Sequence, residues 1–315
     1  MEKLTSEEIS SKTIIYTILK AAMPVAEMIV SIIAMAVISK VFKDGFNIIG
    51  AAIWLVITVV AAFAIDFLVG YKFRAAHAAA VMDAVTVGMI SEDMQSTANE
   101  LVQFRFPSCN EYLGYRLKVV GALGQLQKKV NTFAEHRMNH PVFGKLISFV
   151  QTFIGMALSF TYDLILAYTF WRDGKPLHTS ASDALAIYYY RWTSIVDGII
   201  KVALMLMGIV AAAFFVVFAF TAPVFTQSFG SILAGGLMAA GCGVFAARAV
   251  KVFFESSYMI KCMPAYLEEA KYLELNDEEY GVVCRASSKF RKIYAIAARE
   301  PKDAPAPAAA QNRNE

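Results

Sequence analysis

The sequence predicts an all-α, polytopic membrane protein, and three observations carry that prediction. Of the 315 residues, 57% are hydrophobic and only 17% are charged, where a soluble domain carries about 25% charged residues. Mean hydropathy is +0.51. The apolar residues gather into runs of the length, about 20 residues, that crosses the ~30 Å hydrocarbon core of a bilayer as a helix.

Taken in order, residues 1–21 read as a cytoplasmic amphipathic helix. Thr5 and Glu8 stand at capping-box spacing, and the pattern ends at Lys20. Residues 22–70 form a first transmembrane hairpin, with spans at about 22–39 and 47–70. Residues 71–197 are mixed and mostly helical in pattern, a cytoplasmic or interfacial region. Within them, 146–170 is apolar enough to be a membrane-embedded helix but contains Gln151 and Asp163. A second hairpin over 198–254 has spans at about 198–222 and 230–250, joined by a short external loop at 223–229. Residues 255–300 continue as a cytoplasmic helical region. The tail 301–315, alternating Pro and Ala before turning polar, reads as disordered.

Basic residues set the expected sidedness. Lys and Arg number three in 1–20, nine in 71–145, three in 171–197 and eleven from 248 onward, and none falls in 223–229. Both termini and the whole of 71–197 therefore want the cytoplasmic side. That requires 146–170 to lie in the interface or to enter and return, giving four full spans; five spans is the alternative. The N-terminus does not read as a secretory signal, because Glu2, Glu7 and Glu8 stand where basic residues belong.

Composition and motifs exclude several functions. A net charge of +3, spread among loops, gives no support to nucleic-acid binding. Cys109, Cys242, Cys262 and Cys284 form no CxxC pair, so neither a disulfide scaffold nor a zinc site is indicated. His136 and His140 share a helical face but lack the glutamate of an HExxH site. No catalytic constellation, cofactor motif or metal-ligand set appears, and an enzyme is not expected.

Charged residues inside spans are costly and call for an explanation. Glu27 in the first span, Asp66 in the second and Lys201 at the start of the third enter at similar depths in the inner leaflet. Together they suggest a polar site open to a small cation or a headgroup; snorkelling and helix pairing account for the same placement. Gly235, Ala239, Gly243 and Ala247 form a small-residue stripe on the last span that lets another helix approach closely, within the chain or in an oligomer. Arg248 and Lys251 end that span as cytoplasmic anchors. Tyr188, Tyr189, Tyr190 and Trp192 read as an interfacial aromatic belt, with quaternary-ammonium stacking as the alternative.

Over roughly 160–290 the chain resembles the C-terminal part of the choline transporter-like family. Gly174-Lys175, Thr179-Ser180-Ala181 and Asp183-Ala184 follow the order of that family's Gly-Lys…Ser-Ala-x-Asp-Ala run. Asp197 corresponds to the aspartate opening its penultimate span, and Cys262 followed by Glu268, Glu269 and Asp277 to its cysteine-to-acidic ending. Family members are longer, with more spans, and their Asp-Lys pair is Asp197-Gly198 here. The resemblance implies a multispan carrier of a choline-like cation. The expected function is thus a membrane protein handling a small cationic solute or a lipid headgroup, with membrane lipids as neighbours. The alternative is a non-catalytic subunit of a larger membrane complex or homo-oligomer.

Overall fold

A computed structural model describes residues 4–41, 48–87, 94–137, 161–172, 174–229, 232–273 and 275–301. Among these residues every regular element is helical and none is a strand. The helices are α1 (Ser6–Val41), α2 (Ile48–Ile65), a π-helical turn (Asp66–Gly70), α3 (Tyr71–Val87), α4 (Met94–Arg105) and α5 (Cys109–Arg137). A helix over 161–171, here α6, precedes α7 (Leu177–Phe229), α8 (Ile232–Tyr272), α9 (Asp277–Ala286) and α10 (Ser288–Ala297).

Four helical stretches are long and apolar enough to cross a membrane: Ser6–Val41, Ile49–Thr86, Leu206–Ser228 and Ile232–Pro264. The protein is an all-α, polytopic membrane protein. Several of its helices run well past the hydrocarbon thickness. At 1.5 Å per residue the 53 residues of α7 extend about 80 Å.

Two boundaries differ from the sequence reading. No break separates residues 1–21 from the first span, because Ala21, Ala22 and Met23 continue the helix and Pro24 is carried inside it. The expected external loop at 223–229 is helical, with Pro223 inside α7. Side chains steady that end: the Thr221 hydroxyl donates to the Val217 carbonyl at 2.7 Å, and Ser228 donates to Val224 at 2.8 Å. Helix α7 thus continues to Phe229, and α8 begins at Ile232. The tail from 302 and residues 146–160, Gln151 among them, lie outside the described residues.

The chain divides into two compact units. One gathers 14–73 and 205–256, the other 1–13, 74–204 and 257–315. In the first, Met35, Ile38, Trp54, Ala234 and Met238 form the core. Trp54 Nε1 donates to both the carbonyl and the hydroxyl of Ser31 at 3.1 Å, and Thr58 donates to the same hydroxyl at 3.3 Å. This pairing matters because an indole or hydroxyl facing lipid has no water to bond. Around this core the exposed side chains are large and apolar, including Ile33, Val59, Phe63, Phe215 and Phe220. Such exposure suits hydrocarbon and not water.

In this unit the small-residue stripe is where α8 meets α7. A Cβ on Gly235 would overlap the Thr226 backbone, and one on Gly243 would meet the Phe214 ring at 2.7 Å and its carbonyl at 3.0 Å. Ala239 and Ala247 are buried on the same helix. The close partner is a helix of the same chain, which explains the stripe without a second subunit.

The second unit is a helical body with an aromatic core. Phe106 packs edge-on to Tyr112 (5.2 Å) and Phe170 (6.2 Å), and Tyr112 meets Tyr162 at 6.5 Å. Residues 161–170 are buried throughout. Arg105 of α4 donates to the carbonyls of Arg172 and Lys175 at 2.6 and 2.7 Å. Chain before and after 146–170 thus packs together in one unit. Four candidate spans are present among the described residues; the five-span alternative turns on 146–160, which lie outside them.

Candidate membrane-embedded charge site

Glu27 sits on α1 inside the first apolar stretch and is 1% exposed. Its carboxylate is held by the Arg248 guanidinium of α8 in a two-pronged pair: Nη1 bonds Oε2, and Nη2 bonds Oε1 at 3.3 Å. A carboxylate enclosed in this way needs such a partner, because burying an unpaired charge costs several kcal/mol, roughly, even after relaxation. The planar fork of arginine matches the two oxygens of a carboxylate better than a lysine would. Arg248 keeps 42% of its side chain exposed, so one member of the pair remains reachable from outside the protein.

Asp66 opens the π-helical turn between α2 and α3. A Cβ on Gly70 would come within 2.9 Å of Asp66 Oδ1, so the glycine makes room for the carboxylate to lie along its own turn. Asp66 is close enough for its charge to act on Glu27. Glu27 and Asp66 belong to the same compact unit. Lys201 is different: it lies on α7 in the part belonging to the other unit, and its side chain is outside the described residues.

The cation at this site is Arg248, which sequence reasoning took for an anchor. An arginine at the end of a span looks the same whether it snorkels or pairs, and 221 residues separate it from Glu27. Further polar contacts on the same two helices form a layer beside the pair. Lys20 donates to Ser256 at 3.1 Å, and Lys251 bridges Glu255 at 3.2 Å. Lys251, also read as an anchor, is thus engaged one turn along its own helix.

The other candidate residues serve packing in the second unit. Tyr188 is buried there, and Tyr190 donates to the Glu279 carbonyl at 3.1 Å. Tyr188 is embedded in protein, whereas Tyr189 and Tyr190 are half-buried; the Trp192 side chain lies outside the described residues. The Asp163 carboxylate lies 4.0 Å from Arg74 Nε. Asp183 takes Lys175 Nζ at 3.0 Å and the Tyr280 hydroxyl at 2.6 Å. Burial, the Asp183 charge and that hydrogen bond all push the Tyr280 phenol up. The Gly-Lys…Asp-Ala run thereby ties the start of α7 to α9. His136 and His140 fall outside the described side chains, and among the described residues no three His, Cys, Asp or Glu form a metal-binding group. Comparison with protein families, curated proteins and solved structures returns no match.

Proposed function

We propose that the protein binds, and carries across its membrane, a small cation of the choline class, free or as a lipid headgroup, at Glu27 and Asp66. The observation behind this reading is the pair itself: a buried carboxylate in an apolar span, held by an arginine that is still 42% exposed. An ionisable group inside a span is read by default as the mark of a ligand or ion path. Arg248 occupies the position a cationic ligand would take against Glu27, and an incoming cation would exchange with it. Asp66 supplies a second negative charge nearby. The partial likeness to choline transporter-like proteins points to the same substrate class.

The purified full-length chain, screened by thermal shift against choline and related amines, tests this. Stabilisation that is lost in both Glu27→Gln and Asp66→Asn supports the site. A flat response to every amine overturns it.

A second reading, a non-catalytic subunit of a membrane complex, has its own observation. The most apolar window of Leu206–Ser228 buries none of its residues within the chain, which leaves that helix face for lipid or for another protein. A stoichiometric partner retained through purification favours this reading.

A further inference from the structure

The last helical hairpin carries a charged feature independent of the membrane pair. From Tyr280 to Arg299 the chain holds Arg285, Lys289, Arg291, Lys292 and Arg299, and no Asp or Glu. The fold sorts these cations outward. Phe290 and Ile293 are the buried residues of α10, which packs on α5, while all five cations are exposed. At 100° per residue, Arg291 and Lys292 bracket an arc of roughly 100° opposite those buried residues, and Arg299 follows in the turn after α10.

The patch extends beyond α10. Lys289 lies over Gly121 of α5, where a Cβ would meet its Cδ and Nζ at 2.7 Å. Arg285 joins from α9: it and Arg291 both act on the Cys284 thiol, which burial raises and these two cations lower. Among the described residues, none of the five cations forms an ion pair. Of the neighbouring acids, Glu279 is engaged in the capping box of α9 and Glu300 on His178, while Asp277 and Glu278 stand exposed in the first turn of α9.

Five exposed cations in one stretch of chain, none of them in an ion pair among the described residues, make a field that attracts a polyanion. Four spans hold this chain in a bilayer, so headgroups are the polyanionic surface present at high effective concentration. Clusters of this size read as binding sites for anionic lipid. Nucleic acid fits less well, because the exposed face of α10 presents Ser288, Ala295 and Ala298 beside its cations and no aromatic ring on which a base would stack. We propose that the exposed face of α10, with Arg285 of α9, docks on the anionic phospholipid headgroups of the membrane that holds the chain.

The full-length protein is placed in nanodiscs of phosphatidylcholine alone, or with roughly 30% phosphatidylglycerol. Lys289 and Lys292 are labelled with an amine-reactive reagent and quantified by mass spectrometry at low salt. Labelling of both is expected to fall at least about threefold in the anionic discs and to recover in high salt. The surface variant Arg285→Gln/Arg291→Gln/Arg299→Gln should lose most of that protection while keeping its melting temperature. Equal labelling in the two lipid compositions overturns the proposal. So does stronger protection by a short DNA duplex in phosphatidylcholine discs, which reassigns the face to nucleic acid.

Discussion

At the residue scale, the Glu27–Arg248 pair controls the cost of charge inside the membrane unit. Arg248→Gln leaves the Glu27 carboxylate enclosed without its partner, and loss of one member of a buried pair costs about 3 kcal/mol. Removing both charges, Glu27→Gln/Arg248→Gln, restores most of that loss. Unfolding in graded denaturing detergent measures both, and a double variant no better than the single would show that the pair is not coupled. A second residue with a clear signature is Glu300. It accepts from the backbone of His178 and Thr179 at 3.1 Å each and from His178 Nδ1 at 2.7 Å. Burial alone would raise its carboxyl, but the His178 ring and these amides outweigh burial and hold it below its ordinary value. A carboxyl lowered in the folded state contributes stability above its unfolded value, about 4.3, and loses it as pH falls through the folded value beneath. Protection of the His178 and Thr179 amides, relative to the intrinsic exchange rate at each pH, should therefore fall on acidification through that window. Glu300→Gln should abolish the dependence, and an unchanged profile would exclude Glu300 as the titrating group.

Elements meet through contacts that the length and hydropathy of each helix do not specify. The α7–α8 hairpin closes because Gly235 and Gly243 have no Cβ where the α7 backbone and Phe214 approach. Gly243→Val forces a methyl-bearing carbon into that ring and carbonyl and is expected to cost about 1–3 kcal/mol, read as a lower melting temperature in detergent. Gly236→Ala, on the same helix with open space around it, should leave the melting temperature unchanged and serves as the control. In the other unit, Gln125 of α5 fixes the start of α10. It accepts from the Ser287 hydroxyl at 2.8 Å and the Lys289 amide at 3.0 Å. The small-residue stripe was legible in the sequence because its spacing repeats every turn. Gln125 was not, since a lone polar residue on an amphipathic helix looks like any solvated one.

For the whole molecule, sidedness follows from packing. Asn110 and Gly174 are both exposed and belong to one compact unit. A Cβ at Gly174 meets nothing within 4 Å, so cysteine fits there. Single cysteines at these positions, in a chain freed of its native ones, should react with an impermeant reagent from the same side of sealed vesicles. Reaction from opposite sides would establish a fifth crossing.

The sequence by itself determined the solvent of this protein and the class of its fold. Hydropathy adds up along the chain, so long apolar runs with few charges report a membrane wherever their neighbours end up. Capping at Thr5 and Glu8 was readable for the same reason: its donors and acceptors lie three residues apart. Tertiary structure alone decided that Arg248 answers Glu27, that Tyr188 is enclosed in protein, and that residues 161–170 lie in a protein core. Each depends on which helix faces meet, and contacts between residues distant in the chain leave no periodic trace in it.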